Sequence, residues 1–250
     1  MFYSFVIKYL SMAKKERPLN IDNLEKNRKR LSFKIAKVIN RILVRKPHVK
    51  FLGEEFPNEP ILLLANHVGK KTPVKIELYY PRPLRMWSTH EMTEGFKATH
   101  KYLTTTYYHQ KKHLPKWFAY IVGTLASPFA NMFYLGMRLI PTYTDYRFFG
   151  TIKRSIKAIE EGQDVIIYPE DSSNGYKEQL TYLHPGFVSF LEMLYQKGID
   201  LPVYATYLNK RKNLFIVSDK MMYSSLKKEY GDFDHIAEAM RILINSLMDK

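Results

Sequence analysis

Residues 61–67 read Ile-Leu-Leu-Leu-Ala-Asn-His, and the first five of them form an uninterrupted apolar run. Such a run is typical of a parallel strand that is buried on both of its faces. A second run, Asp-Val-Ile-Ile-Tyr at 164–168, is ended by Pro169. Segments of helical periodicity alternate with short apolar runs of this kind. The sequence therefore predicts an α/β fold with a mostly parallel central sheet flanked by helices.

The composition favours one globular domain with a cationic amino-terminal segment. At 250 residues and 46% apolar content the chain can bury a full core. It contains no cysteine, which excludes disulfide scaffolds, thiolate zinc sites and cysteine nucleophiles. The net charge of +15 is concentrated in residues 1–50, which hold 14 Lys or Arg against 3 Asp or Glu. Such a segment indicates a polyanionic partner, either a phospholipid surface or a nucleic acid.

Residues 21–46 are predicted to form one long amphipathic basic helix. Apolar residues recur at spacings of three and four, and lysines and arginines follow the same rhythm on a neighbouring face. A helix of this type can lie in the headgroup plane of a membrane. We therefore expect residues 1–50 to be a membrane-associating helical segment ahead of an α/β domain at 51–250. The alternative is a docking helix whose cations simply face water.

The stretch Trp117–Met137 contains 21 residues without a charge. Its length alone permits a transmembrane helix, but Pro128 and several small or polar residues interrupt the apolar pattern. We expect a helix, a break near Pro128 and a strand that enters the core, with the aromatic part in contact with lipid. A helix that spans the membrane is the alternative.

Two polar loops follow the two buried strands, and ligands of open α/β sheets bind at the carboxyl ends of strands. Asn66 and His67 follow the first strand, which places His67 where a general base is useful. Glu170 and Asp171 follow the second strand and precede two serines, groups that can hold a substrate. Each loop alone is also consistent with a structural role, as a hydrogen-bonded histidine or a capped turn.

Together the two loops resemble motifs of the lysophospholipid acyltransferase family, the 1-acyl-glycerol-3-phosphate acyltransferases. In that family the first motif is Asn-His, four arbitrary residues and Asp, and the third is an aromatic residue, Pro-Glu-Gly, Thr or Ser, and Arg. Asn66-His67 matches the start of the first motif, and Tyr168-Pro169-Glu170 that of the third. Leu201-Pro202-Val203 matches a fourth motif, an apolar residue followed by Pro-Val. The resemblance covers about residues 50–220.

The sequence departs from the family pattern at positions that carry charge. Thr72 stands where the first motif has Asp, and Ser173 where the third has Arg. Losing such an orienting carboxylate weakens a histidine base, so either Glu77 or Asp171 substitutes for it or catalysis is poor. The family's second motif is a Gly and a short apolar run closed by Arg; Gly136, Leu139 and Ile140 match it, with Thr142 in place of the Arg. The stretch between the first and second motifs is longer than usual, which predicts an insertion at about 96–128.

The resemblance implies a glycerolphosphate acyltransferase-like fold and a membrane-surface O-acyltransferase at the cytoplasmic face of the cell membrane. The acyl group would move from acyl-CoA or acyl-carrier protein to a hydroxyl group of a lysophospholipid or related glycerolipid, with no cofactor. His67 would remove the hydroxyl proton, and Thr72 and Glu170 occupy the other catalytic positions. The residues expected to bind substrate are Asn66, Lys70, Lys71, Arg138, Asp171, Ser172 and Ser173. Lysines beside His67 would hold a phosphate and lower the pKa of the imidazole.

Two other functions compete with this interpretation. The departures at Thr72 and Ser173 are consistent with a family member that has lost catalysis and binds only lipid or acyl carrier. The basic segment alone is consistent with nucleic-acid binding, but its aromatic and basic residues are not interleaved as in a stacking platform, so no nucleic-acid partner is expected. His109 and His113 are four residues apart but lack a third ligand nearby, so no metal site is predicted.

Overall fold

The structure, a computed structural model, describes residues 24–67, 71–172 and 175–250. Residues 1–23, which include part of the predicted membrane-associating segment, lie outside the described residues. Strands β1–β8 are His48–Phe51, Leu62–Ala65, Leu84–Thr89, Leu139–Thr142, Asp164–Ile167, Pro202–Asn209, Leu214–Val217 and Met221–Met222. Helices α1–α9 are Leu24–Lys29, Leu31–Leu43, Lys71–Tyr79, Phe96–Lys101, Lys116–Gly136, Phe148–Glu160, Gly186–Tyr195, Tyr223–Tyr230 and Phe233–Ser246. A π-helix covers Tyr102–Lys111.

Within the described residues, the strands form one sheet in the order β1-β7-β6-β2-β5-β3-β4, with β8 also paired to β6. Five of the seven pairings are parallel, and β6 pairs antiparallel with β7 and with β8. The prediction of an α/β fold with a mostly parallel central sheet flanked by helices is therefore confirmed. β2 and β5 are neighbours near the middle of the sheet, which explains why both are apolar on both faces.

Alternate residues of the central strands enter two separate cores, because successive side chains of a strand point to opposite faces. Leu62 and Leu64 pack with α6, α7 and α9, whereas Leu63 and Ala65 pack with α2, α3 and α5. The molecule thus has three layers, helices on each side of the sheet. Because the parallel strands β2, β3, β4 and β5 all end at one edge, the loops that follow them meet there.

The predicted helix over 21–46 is divided at Arg30 in the part that the structure describes. Arg30 has an extended backbone (φ −60°, ψ 137°), so α1 ends before it and α2 begins after it. Contacts made by α1 explain the division, because Arg28 donates hydrogen bonds to Glu77 Oε1 (2.8 Å) and to the Gly136 carbonyl (2.6 Å). The prediction of one continuous helix is wrong at this point.

Helix α2 has a packed side and an exposed apolar side. Phe33 and Ala36 are buried, and Phe33 stacks on Phe133 of α5 at 5.8 Å between ring centroids. The predicted apolar stripe faces outward, with Leu31 72% exposed and Ile42 78% exposed. The part of residues 1–50 that the structure describes therefore packs on the α/β domain and presents a second, apolar surface. Strand β1 continues across the predicted boundary at residue 50.

The segment Lys116–Gly136 is one continuous α-helix, α5, that runs through Pro128. The predicted break and change to a strand are wrong; the strand β4 begins only after the helix, at Leu139. Pro128 and Thr124 both lie on the exposed side of α5, where the proline ring needs no space in the core. The Ser127 hydroxyl donates to the Gly123 carbonyl (2.6 Å) on the buried side, supporting the turn before the proline.

By length and composition α5 can cross a bilayer, although core helices of soluble proteins pass the same criterion. The predicted insertion at 96–128 corresponds to α4, the π-helix and the first part of α5, which pack on one another around Tyr102, Leu103 and Tyr107. Gly123 lets α5 approach the π-helix closely, since a Cβ atom there would lie 2.6 Å from Thr104 Cγ2.

Candidate functional site

The register of β2 and β5 brings His67 and Glu170 together. Leu64 pairs with Ile167 across these strands, and His67 and Glu170 each lie three residues further along. The backbone N–H of His67 donates a hydrogen bond to Glu170 Oε2 at 3.2 Å. The Glu170 carboxyl, 103 residues further along the sequence, therefore reaches the backbone of His67 at the carboxyl edge of the sheet.

Asn66 fixes the backbone from which His67 projects. Its amide nitrogen donates to the Leu208 carbonyl (3.3 Å), and its amide oxygen accepts from the Leu208 N–H (2.7 Å). These two bonds connect the end of β2 to β6, and the side chain is completely buried. Asn66 thus positions the loop, and a direct contact with substrate would require one of these hydrogen bonds to open.

The His67 imidazole is enclosed by tyrosine rings. Tyr176 stacks on it with 4.7 Å between ring centroids, and Tyr168 meets it edge-on at 4.9 Å. Its Nδ1 atom is buried and has no hydrogen-bond partner among the described residues. Burial, and after it the positive charges of Lys111 and Lys112, lower the pKa of His67 to about 3. The imidazole is therefore neutral at physiological pH.

Glu170 lies in the same dry environment. Burial raises the pKa of its carboxyl to about 8, against the opposing effects of the His67 N–H and of Lys111. Its Oε1 atom is buried and has no partner among the described residues. The segment after β5 is held by Tyr182–His184, since the His184 N–H donates to the Pro169 carbonyl (2.8 Å). The site thus pairs a neutral imidazole with a carboxyl group that is largely protonated at pH 7.

Lys111 is a site residue that sequence reasoning did not identify. It lies at the end of the π-helix, and its Nζ donates to Ser172 Oγ at 2.8 Å. Burial lowers the pKa of this lysine, while Glu170, Asp171 and Glu91 raise it. Its Nζ also lies 5.4 Å from the centroid of the Tyr176 ring. The adjacent pair Lys111-Lys112 was visible in the sequence, but it lies in the predicted insertion, away from every motif.

The other predicted site residues are distributed differently. Thr72 is completely buried in the first turn of α3, and its catalytic role stays a prediction. Asp171 is exposed and lies near enough to Lys111 to raise the pKa of that lysine. Lys70 and Ser173 lie outside the described residues, as does the side chain of Lys71. Among the described residues, the charges that lower the pKa of His67 are those of Lys111 and Lys112. The effect predicted for Lys70 and Lys71 stays a prediction.

Arg138 lies away from His67, and its predicted contact with the substrate stays a prediction. It precedes β4, whose first residue Leu139 aligns through Met86 and Ile166 with Leu63. At about 3.3 Å per residue, Arg138 and His67 are separated by roughly 15 Å along the strands and by further strands sideways. Arg138 lies near α2, where its charge contributes to lowering the pKa of Lys37.

Glu77 does not replace the orienting carboxylate that the first motif lacks. Its side chain is only 4% exposed and forms an ion pair with Arg28 at 2.8 Å. Removing Arg28 from it would leave an uncompensated buried charge. Its carboxylate is therefore committed to holding α1 and α3 together.

A cleft of about 950 Å³ lies beside Tyr176, the ring that stacks on the His67 imidazole. Leu208, which is hydrogen-bonded to the Asn66 amide, also lines it. Among the described residues, no group of three His, Cys, Asp or Glu side chains could hold a metal ion. The arrangement is suited to proton transfer and to binding anions, because a neutral imidazole faces lysines rather than a carboxylate.

No protein-family model matches the sequence, and no curated protein matches it. Among solved structures, the chain is similar to the crystal structure of the 1-acyl-sn-glycerophosphate (LPA) acyltransferase PlsC from Thermotoga maritima. The two share 10% sequence identity with a TM-score of 0.46, and the match covers 99% of this chain and 88% of that chain.

Proposed function

We propose that this protein is an O-acyltransferase that works at a membrane surface. It transfers a fatty acyl group from a thioester, acyl-CoA or acyl-carrier protein, to a hydroxyl group of a lysophospholipid or related glycerolipid. The observation that carries the proposal is the meeting of His67 and Glu170 at the carboxyl edge of the sheet, with the His67 N–H on Glu170 Oε2 at 3.2 Å. An imidazole kept neutral and dry in this position can accept a hydroxyl proton.

During the transfer His67 takes up one proton and then returns it, so the imidazole ends the reaction neutral. The imidazole removes the proton of the acceptor hydroxyl as its oxygen attacks the thioester carbonyl carbon. A carbon–oxygen bond forms, the carbon–sulfur bond breaks, and the thiolate leaving group takes the proton back from the imidazolium. General base catalysis of this kind contributes about 10²–10⁴-fold.

The charges around the site support an acceptor that carries a phosphate. Lys111 and Lys112 lower the pKa of His67, so a phosphate bound between them offsets that effect and makes the imidazole a stronger base. Lys111 already donates a hydrogen bond to Ser172, in the loop where the substrate is expected. Glu170, largely protonated at pH 7, adds no negative charge to repel the phosphate.

In this proposal the outer sides of α2 and α5 form the surface of the protein that faces the membrane. Trp117, Leu125 and Phe129 on α5 are 69, 70 and 67% exposed, an apolar strip that suits contact with acyl chains. Lys34, Lys37 and Arg41 on α2 add cations that attract anionic headgroups.

A helix lying along the membrane is favoured over a helix that spans it. Gly123 and Gly136 press α5 against Thr104 and Phe33, so the domain holds the helix over about 20 Å of its length at 1.5 Å per residue. Spanning the bilayer would require these contacts to be broken or to enter the hydrocarbon layer with the helix.

The activity is tested by acyl transfer with purified full-length protein and several lysophospholipids. Radiolabelled acyl-CoA and acyl-carrier protein serve as donors, and His67→Ala is the matched variant. We expect labelled phospholipid with at least one donor and its loss in His67→Ala. Thermal unfolding of both proteins checks that the variant is folded. Transfer that persists in the folded His67→Ala variant contradicts the assignment of the base.

Membrane association is tested by cosedimentation with vesicles of phosphatidylcholine and phosphatidylglycerol. The double variant Leu125→Glu/Phe129→Glu is expected to lose binding, since each charge must enter the lipid interface. The control is Ile242→Glu on α9, an apolar position that is 56% exposed in the helical layer on the other side of the sheet. Equal binding by the double variant and the control contradicts the proposed surface.

A second candidate is a relative of such enzymes that binds lipid or acyl carrier without catalysis. The observation that favours it is the His67 Nδ1 atom, which lacks a hydrogen-bond partner among the described residues, since a general base needs its other nitrogen held. Vesicle binding without acyl transfer from either donor supports this candidate. His67→Ala then leaves every measured property unchanged except stability.

A further inference from the structure

The cleft beside Tyr176 has a strongly basic outer wall. Five cationic residues line it: Lys112, Lys177, Lys210, Arg211 and Lys212. The acidic residues that line it are Glu178 and Asp249, so positive charge is in excess. Because a concave surface of one sign concentrates the field, this wall attracts a small ligand with several negative charges.

The cations of the β6–β7 turn are held on a fixed backbone. The Asn209 side-chain oxygen accepts hydrogen bonds from the N–H groups of Arg211 (3.1 Å) and Lys212 (3.0 Å). Arg211 has an ion pair with Glu178, but it is long at 3.7 Å and both side chains are mostly exposed. An exposed pair of this kind contributes little, so the guanidinium can exchange Glu178 for a phosphate, to which it binds more strongly. Lys210 and Lys212 form no ion pair within the described part of the chain.

The inner wall of the cleft is aromatic. Tyr107, Tyr108 and Tyr176 line it, and Lys112 Nζ lies 5.7 Å from the centre of the Tyr176 ring. Aromatic rings next to lysines and an arginine provide stacking for a base and charge for phosphates. A volume of about 950 Å³ is in the range of pockets for whole small molecules and far exceeds the space needed by one phosphate.

From these features we propose that the cleft binds a nucleotide carrying several phosphates. The phosphates lie against the turn 210–212, and the base lies against the tyrosines. If the proposed function holds, on which this extension rests, the nucleotide is that of acyl-CoA, whose thioester arm passes Tyr176 and Leu208 to reach His67. A nucleotide bound by itself has the same chemistry, and the experiment distinguishes the two sources.

The first experiment measures binding by calorimetry with the full-length protein, using adenosine 3′,5′-bisphosphate, CoA and inorganic pyrophosphate as probes. Lys210→Ser/Lys212→Ser is compared with Lys220→Ser/Lys228→Ser, which removes the same charge from exposed lysines that do not line the cleft. We expect the Kd for adenosine 3′,5′-bisphosphate to rise at least about tenfold in the cleft variant, because two charge-assisted contacts are lost. The control variant should change it less than about twofold, because distant exposed charges are screened.

A second variant tests the aromatic wall. Tyr108→Leu is expected to weaken adenosine 3′,5′-bisphosphate and to leave pyrophosphate unchanged, because only the nucleotide has a base to stack. Any of three results overturns the proposal. The two lysine variants could lose affinity for adenosine 3′,5′-bisphosphate equally, or neither nucleotide probe could bind. The cleft variant could also lose vesicle binding while keeping nucleotide binding. CoA binding more tightly than adenosine 3′,5′-bisphosphate assigns the cleft to the acyl donor, whereas equal affinities assign it to the nucleotide alone.

The outcome is separable from that of the proposed function. His67→Ala should abolish acyl transfer while leaving adenosine 3′,5′-bisphosphate binding within about twofold of the original chain, because the nucleotide lies on the outer wall. Nucleotide binding by a chain that never transfers an acyl group supports the cleft and refutes the enzyme. Acyl transfer that uses only carrier protein and is unaffected by Lys210→Ser/Lys212→Ser refutes the cleft and supports the enzyme.

Discussion

Substituting His67 by Gln should change how the stability of the protein depends on pH. The pKa of the buried imidazole is lowered from 6.5 to about 3. A group with a lowered pKa in the folded state contributes stability above its unfolded pKa, and this contribution is lost as the pH falls towards the folded value. For His67 the loss begins near pH 6.5 and continues towards pH 3, because the unfolded chain takes up a proton there that the folded chain does not.

The size of the effect follows from the same two values. Between pH 7 and pH 5 the unfolded histidine becomes protonated while the folded one stays neutral, which lowers the free energy of unfolding by about 2 kcal/mol. Gln cannot be protonated, so the His67→Gln variant lacks this loss. Glu170, with its pKa raised to about 8, acts in the opposite direction. It stabilises below pH 4.5 and loses that contribution as the pH rises to 8, but it is present in both proteins and cancels in the difference.

The assay is urea unfolding followed by tryptophan fluorescence at pH 7, 6 and 5 and constant ionic strength. The unfolding free energy of the original chain should fall by about 2 kcal/mol more than that of His67→Gln over this range. Glu170→Gln, compared in the same way, should shift the difference in the other direction. Parallel pH dependences for the original chain and His67→Gln would refute the conclusion that the imidazole is buried and neutral.

Three further results are expected. The rate of acyl transfer should fall about tenfold for each pH unit above 8 as Glu170 ionises. The Glu170→Gln variant should not show this fall. If its pH–rate profile still shows the fall, another group is responsible. Thr72→Asp should raise kcat if it supplies the carboxylate that the first motif lacks. If kcat and Tm are both unchanged in this variant, the imidazole does not need an orienting carboxylate. Gly136→Ala places a methyl group inside the Phe33 ring, and it should lower the unfolding free energy by about 1–3 kcal/mol; an unchanged Tm contradicts the packing of α2 on α5.

The sequence was most informative where local pattern and burial agree. The continuous apolar runs at 61–65 and 164–168 contain strands whose two faces both contact the hydrophobic core. Burial on both faces can be predicted from hydrophobicity alone. The positions of His67 and Glu170 at the ends of such strands are fixed by topology, so their meeting could be expected before any coordinates.

Sequence periodicity failed where a distant contact outweighs local preference. The helix predicted over 21–46 runs through residue 30, but in the structure Arg28 reaches the buried Glu77 and the end of α5, and the helix is divided at Arg30. At Pro128 the opposite occurred, since a strong local breaker was tolerated because its ring points away from the core. Neither outcome can be predicted from the neighbouring residues in the sequence.

The source of the positive charge at the site was the feature that the sequence predicted least well. The resemblance places it in the loops themselves, at Lys70, Lys71 and an arginine that Ser173 replaces. In the structure a charge also comes from Lys111, on a helix 61 residues before its partner Ser172. The same lysine lowers the pKa of His67 and that of Glu170, so one charge acts on both catalytic candidates. An anion that neutralises it must raise both pKa values together, which makes the imidazole a stronger base when a phosphate is bound.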